Sequence, residues 1–218
     1  MKGGREALAA ARTAATQTTD KLQVDDELAA VAVSQRDAKG ALGILDAIEK
    51  TAGADPSTVA FVLVDAGRHR EALVPIAAAL ATADGGHVTS GLARNLRRQA
   101  LVARAAAESG MRDVAAMTKT SAALDEGAAA SPDAPLAQSA MHYGRGMLAV
   151  TKGDAAAARA HFDQCSNEDE LCKWQGVVTA EKAGDTAGAA IARDQLLKHY
   201  GRDPLHLVMR SRLAPAAR

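Results

Sequence analysis

Two cysteines and six histidines are the side chains of this 218-residue chain best suited to metal binding or nucleophilic chemistry. The histidines form neither an HExxH motif nor a zinc-type spacing with the cysteines. His142 and His161 fall on two helices predicted to pair, so they can lie close together, although histidines at such positions are more often solvated surface residues. No base is spaced to activate a cysteine. The sequence therefore predicts no metal, no cofactor and no enzymatic activity.

The hexapeptide GRGMLA at residues 144–149 matches the GxGxxA fingerprint of dinucleotide-binding sites. That fingerprint binds a pyrophosphate only where it follows a strand and opens a helix. Here it lies inside a predicted helix that ends at Gly153. The two glycines are therefore expected to permit close packing between helices. The chain also contains no P-loop and no GxSxG motif.

Cys165 and Cys172 allow two interpretations. Acidic residues between them suit the positive end of a helix dipole, so Cys165 closes one predicted helix and Cys172 opens the next. A short loop of this kind can bring two Cα atoms within the roughly 4.4–6.8 Å that a disulfide requires. A bridge would imply a periplasmic protein with a removed export signal, whereas two small buried thiols are common in cytoplasmic proteins. Both interpretations stay open at this stage.

Residues 94–112 form a basic segment. It carries five arginines against one acidic residue, Glu108: Arg94, Arg97, Arg98, Arg104 and Arg112. The segment is either a solvated helix face or an anion-binding patch that receives acidic groups of a ligand. The whole chain has 26 basic and 26 acidic residues, and a formal net charge of zero argues against binding to nucleic acid or to an anionic membrane surface.

The elements that must position these residues are expected to be helices. Alanine accounts for 53 of the 218 residues, and alanine loses no side-chain entropy when it enters a helix. Aromatic residues make up only 2% of the chain, and β-branched runs typical of strands are scarce. The apolar stretches are shorter than the roughly 20 residues of a membrane-spanning helix, so no membrane insertion is expected.

One pattern recurs five times along these predicted helices. Each helix ends at a turn residue, and these are Arg36, Gly67, Gly110, Gly153 and Gly184. An alanine follows each turn residue after five positions: Ala41, Ala72, Ala115, Ala158 and Ala189. A residue with a small or medium-sized side chain lies seven positions before each turn residue: Ala29, Ala60, Ala103, Gly146 and Val177. Small residues at both positions allow two antiparallel helices to cross closely.

This pattern resembles the tetratricopeptide repeat. The stretches that carry the resemblance, within residues 22–200, are Gly153-Asp154 with Ala158 and Phe162, Gly67 with Ala72 and Ile76, and Gly184-Asp185 with Ala189. The resemblance implies a divergent, all-α, right-handed solenoid of antiparallel helix pairs. In this scheme residues 1–21 form a half-repeat helix, residues 22–202 form five helix pairs, and residues 203–218 form a capping helix and tail.

The resemblance also implies a function, namely the binding of a protein or peptide on the concave face. The first helix of each pair lines that face, and positions six and ten before each turn are expected to point inward. With Arg97, which shares a helix face with one of them, the predicted groove residues are Phe61, Arg97, Arg104, Tyr143, Met147, Trp174 and Val178. The expected ligand has an acidic group beside a hydrophobic segment. Two alternatives remain: Tyr143 and Trp174 are ordinary packing residues, or the chain is a structural or homo-oligomerising segment of a larger assembly.

Overall fold

The computed structural model describes residues 2–52 and 56–198 of the chain. Within these residues helix is the only regular secondary structure, and it includes 82% of them. The prediction of an all-α chain is therefore confirmed for the described part. The predicted capping helix and tail at residues 203–218 lie outside it. None of the described helices combines the length and the apolar composition that crossing a membrane requires.

Eleven helices follow one another in the described residues. A single helix, α1 (Lys2–Ala14), comes first. Ten more follow as five consecutive pairs: α2 (Thr18–Ser34) with α3 (Ala38–Ala52), α4 (Pro56–Asp65) with α5 (His69–Asp84), α6 (Ser90–Gly110) with α7 (Val114–Ala129), α8 (Pro135–Lys152) with α9 (Ala155–Phe162), and α10 (Glu170–Lys182) with α11 (Thr186–Lys198). Consecutive helices pack on each other along the whole series.

The turn inside each pair contains one residue in the left-handed backbone conformation. These residues have φ between 58° and 81° and are Arg36, Gly67, Arg112, Gly153 and Gly184. Each donates its N–H to the carbonyl three residues earlier, and the residue after it donates to the carbonyl five residues earlier. This pair of bonds satisfies the last carbonyls of the first helix. The same turn is thus built five times.

Four of the five turns lie at the residue predicted from the sequence, and the third does not. Gly110 is the last residue of α6, and Arg112 adopts the left-handed conformation, with φ of 58°. Gly110 has a different role, because a Cβ atom built on it would overlap the His69 ring of α5. The glycine at this position therefore permits close contact with a neighbouring helix and does not form the turn.

When the third turn is placed at Arg112, the same positions of the repeat are buried in all five pairs. The residue five positions after this turn is then Met117 and the residue seven positions before it is Ala105, and both are fully buried. In the other four pairs the corresponding residues are also buried. The two positions mark the point where the helices of a pair cross, so residues here contact the partner helix in every pair.

Small residues at these crossings make room for large ones. In the fourth pair, a Cβ atom on Gly146 would overlap the Phe162 ring, and one on Gly144 would lie 2.7 Å from Leu124 Cδ1. Both glycines are inside α8, with helix on either side. The GxGxxA stretch is therefore a helix-packing surface, as expected, and does not open a helix after a strand.

Aspartates begin most of the second helices. Asp37, Asp113, Asp154 and Asp185 each follow the turn residue directly, and each carboxylate accepts a hydrogen bond of 2.8–2.9 Å from the N–H three residues later. The second pair has Arg68 at this position, where no side chain caps the helix. A carboxylate at a helix start also interacts favourably with the helix dipole. The short turns thus end one helix and start the next within three residues.

Candidate binding surface

The five pairs divide the helices into two sets. We call α2, α4, α6, α8 and α10 the first helices, and α3, α5, α7, α9 and α11 the second helices. Neighbouring first helices pack against each other from α4 through α6 and α8 to α10. No comparable contact joins α5 to α7 or α7 to α9, although all three are completely described. The predicted groove residues all lie on the four first helices that contact each other.

Tyr143 and Met147 of α8 lie inside the protein. Their side chains are only 1% and 6% exposed, and both belong to the largest core cluster. The Tyr143 ring contacts the Phe162 ring at a centroid distance of 6.3 Å. α8 is covered by α6, α7, α9 and α10, so most of its surface faces other helices. The expectation that these two residues line an open groove is corrected: they are packing residues.

Three predicted groove residues keep part of their surface exposed. Phe61 packs between two core clusters at the α4–α6 junction, and Trp174 packs beside Val177 and Leu196 in the last pair. Val178 is also half-buried. Half-buried apolar side chains are held in place by the core and still offer a surface to a partner. Among the predicted groove residues, those with an exposed apolar surface therefore lie on α4 and α10.

The two predicted groove arginines are engaged in ion pairs. Arg97 pairs with Asp84 at the end of α5, and both side chains are about half exposed. Arg104 pairs with Glu108 at 2.7 Å, and Glu108 is buried and also accepts a 2.6 Å hydrogen bond from Thr120. Since a buried carboxylate needs its partners, Arg104 stabilises the fold. The positive charges of the two predicted groove arginines are thus largely balanced by carboxylates of the same chain.

A different arginine of the same segment, Arg98, is partly buried. Burial lowers the pKa of Arg98, with Asp169 acting in the opposite direction. Its Nη2 donates to the side-chain oxygen of Asn95 at 2.7 Å, and it forms no ion pair within 4 Å of a described carboxylate. A partly desolvated guanidinium with unused N–H donors is suited to bind a carboxylate in two-point geometry.

Asp169 interacts electrostatically with two residues of the first helices, Arg98 and Tyr143. Asp169 caps α10 by accepting from the Cys172 N–H at 3.0 Å, and burial raises its pKa although that bond, Arg98 and Lys173 lower it. Burial, together with the charge of Asp169, also raises the pKa of Tyr143, whose hydroxyl bonds to no described residue. The charge of Asp169 thus acts on both Arg98 and Tyr143. From the sequence, Asp169 is recognisable only as a residue that caps the start of a helix. Nothing in the sequence indicates that it interacts with Arg98.

A disulfide holds the loop that carries Asp169. Cys165 and Cys172 are bonded, with their Cα atoms 6.2 Å apart, and both residues are buried. The loop is also fixed to α8, because the Ser166 N–H donates to the Ser139 hydroxyl at 2.7 Å. Of the two interpretations left open by the sequence, the structure contains the bridge. The N-terminus of α10 is therefore fixed relative to α8 and α9.

A cavity of about 330 Å³ lies at the other end of the described chain, between α1, α2 and α3. Arg12 and Asp25 form an ion pair at its edge. The other lining residues are small or aliphatic: Leu28, Gly40, Gly43, Ile44 and Ala47. Its lining is mostly apolar, and it contains no predicted groove residue. No group of three or more potential metal ligands occurs among the described residues.

Comparison with known proteins does not assign the chain to a family. No protein-family model matches it, and neither the curated proteins nor the solved structures contain a match.

Proposed function

We propose that this chain is a scaffold that binds a protein or peptide along its first helices, and that its helix pairs form a right-handed, tetratricopeptide-like α-solenoid. The observation that carries the proposal is the asymmetry of the helix contacts. Consecutive first helices from α4 to α10 pack against each other, whereas no comparable contact joins α5 to α7 or α7 to α9. A stack of helix pairs curves toward the side on which neighbouring helices are closer together, which here is the side of the first helices. The first helices then line a concave surface, the usual ligand face of such repeats.

The proposed ligand has an acidic group next to a hydrophobic segment. Arg98 supplies guanidinium donors that no described carboxylate occupies, and it lies near the middle of the first-helix surface. Trp174 and Val178 supply half-buried apolar surface on α10. Tryptophan and arginine are the residue types most often responsible for the energy of protein interfaces. The arginine proposed to contact the acidic group is therefore Arg98, in place of Arg97 and Arg104.

A peptide-display selection tests the proposal. The full-length chain is exposed to a random peptide library, and we expect enriched peptides that combine Asp or Glu with nearby apolar residues. Their affinity should fall at least about tenfold in Arg98→Glu and in Trp174→Ala, since hot-spot residues contribute roughly 2 kcal/mol or more. The controls are Arg70→Glu and Ile191→Ala, which change an exposed arginine and an exposed apolar residue on second helices.

The outcome separates the concave surface from other sites. Circular dichroism must first show unchanged helicity, and if Trp174→Ala loses helicity, Arg98→Glu alone decides. Equal binding by Arg98→Glu and wild type would overturn the proposed anchor. Failure to enrich any peptide sequence would overturn the scaffold function itself.

One observation favours the second candidate, an oligomerising segment. Val74 and Ile191 lie on second helices, are 73% and 63% exposed, and each follow the turn glycine of their pair by seven positions. Large apolar side chains exposed at repeated positions are typical of contact surfaces. Size-exclusion chromatography with light scattering tests this: a homo-oligomer that Val74→Asp and Ile191→Asp dissociate would favour it, and a monomer at all concentrations would exclude it.

A further inference from the structure

The histidines predicted to lie close together form a pair between the two helices of the fourth unit. His142 of α8 and His161 of α9 have ring centroids 5.8 Å apart, with the ring planes inclined by 35°. Each Nδ1 atom is buried and bonds to no described residue. Most buried polar atoms in proteins have a partner, and an exception points to a functional role or to a bound ion. Two neighbouring exceptions of the same kind therefore mark this position.

The spacing of the two rings fits a shared metal ion. An imidazole nitrogen binds Zn²⁺ at about 2.0–2.1 Å, which places the centroids of two rings on one ion roughly 5–6 Å apart for ligand angles from tetrahedral upward. The observed separation of 5.8 Å is within this range. The two rings are therefore close enough for one ion to bind a nitrogen of each.

Two charged side chains lie near the His142 ring, Arg145 and Asp125. Asp125 pairs with Arg145 at 3.0 Å, so its carboxylate reduces the repulsion between Arg145 and an incoming cation.

We propose that His142 and His161 form a binding site for a divalent transition metal of the zinc and copper class, for which imidazole is a preferred ligand. The two imidazoles supply two positions, and water or a ligand group of a partner supplies the rest. The site lies between α8 and α9 and is independent of the proposed peptide surface, which uses Arg98 and Trp174.

Calorimetric titration of the untagged full-length chain with ZnCl₂, in a buffer that does not bind metals, tests the site. We expect saturable binding of one ion at pH 7.4. The loss of either ligand should weaken binding at least about tenfold, because even outer-shell changes cost 10–100-fold in metal affinity. The variants are His142→Ala and His161→Ala, and the matched control is His87→Ala, which removes an exposed histidine from the loop after α5.

A second measurement keeps the test decisive if an alanine variant fails to fold. His161→Gln keeps a polar side chain of similar size, and zinc should raise the melting temperature of wild type and His87→Ala but not of His161→Gln. Absence of saturable binding to wild type would overturn the proposal. Equal zinc affinity in His161→Gln and wild type would overturn it as well. Neither result would affect the proposed peptide surface.

Discussion

Some glycines of this protein are required because a neighbouring side chain occupies the place of a Cβ atom. Gly146 is the clearest example, because the Phe162 ring occupies the place where a Cβ atom would be. Other glycines are not constrained in this way: Gly127, exposed on α7, has no heavy atom of a neighbouring element within 4 Å of its Cβ position. The same substitution is therefore expected to have opposite effects at these two positions.

We predict that Gly146→Ala lowers the free energy of unfolding by about 1–3 kcal/mol, because the added methyl group forces Phe162 from its place in the core. Gly127→Ala should raise it by about 0.5–1 kcal/mol, because alanine is the better helix former. Urea denaturation measures both values. A stable Gly146→Ala variant would show that the α8–α9 crossing is less tightly packed than described.

The histidine pair gives stability a pH dependence. The folded-state pKa of His142 is lowered, first by burial and then by His161 and Arg145, while Asp125 raises it. The unfolded chain then binds a proton more readily than the folded chain once the pH falls below about 6.5. We predict that stability decreases as the pH is lowered from about 7 through the folded-state pKa of His142, and then levels off for this group.

The effect is modest, because His142 is partly exposed and solvent screens the charges. Melting curves between pH 7.5 and 5, in the presence of a chelator, should show a decrease that His142→Gln reduces. An NMR titration of the His142 ring should give a midpoint below 6.5. A midpoint above that value would contradict the argument.

At the scale of elements, the repeated unit is a helix pair with a left-handed turn residue. Glycine occupies this position in three pairs and arginine in two, Arg36 and Arg112. A residue with a Cβ atom is strained there by roughly 1–2 kcal/mol, whereas glycine adopts the conformation freely. The aspartate caps and the hydrogen bonds of the turn offset this strain in the pairs that carry arginine.

We predict that Arg112→Gly stabilises the protein by up to about 1 kcal/mol, which is the strain removed less the greater freedom of glycine in the unfolded chain. Gly153→Ala should destabilise it by about 1–2 kcal/mol at the equivalent position, where φ is 81°. Chemical denaturation of the two variants provides the measurement. Shifts of the same sign would contradict the equivalence of the two turns.

At the scale of the whole molecule, each pair is stabilised mainly by its neighbours. In the described chain, α11 packs on α10, and α10 packs on α8 and α9. The last pair therefore depends on a small interface with the fourth pair, and the Cys165–Cys172 disulfide crosses it. In stacked repeats of this kind, stability is approximately the sum of the units and of the interfaces between neighbours.

We predict that the double substitution Cys165→Ala and Cys172→Ala lowers stability by about 2–3 kcal/mol, the value expected from closing such a short loop in the unfolded chain. The loss should be local. Hydrogen exchange should accelerate in α10 and α11, while α4 and α5 keep their protection. Uniform acceleration along the chain would instead mean that the helices unfold as one cooperative unit. Mass spectrometry of the non-reduced natural protein verifies the bridge directly.

Local chemistry was sufficient to predict much of this architecture. An alanine-rich composition predicts helix without reference to tertiary contacts, because the preference is a property of each residue. The turns at Arg36, Gly67, Gly153 and Gly184 were also predictable, since a turn and its flanking small residues lie within about a dozen positions of each other. The predicted position of the third turn, Gly110, was wrong for a tertiary reason. Gly110 makes room for His69, which is 41 residues away and on another helix.

The binding surface and the histidine site depend on packing between distant residues. The same spacing from the turn that leaves Trp174 half-exposed buries Tyr143, because α8 has neighbours on every side and α10 belongs to the last described pair. The electrostatic interaction of Arg98 with Asp169 likewise involves residues 71 positions apart. A side chain's exposure is determined by the elements around it, and sequence spacing specifies only its direction along its own helix. The sequence by itself therefore determined the helices and most of their turns, and the tertiary structure decided which side chains are available to a ligand.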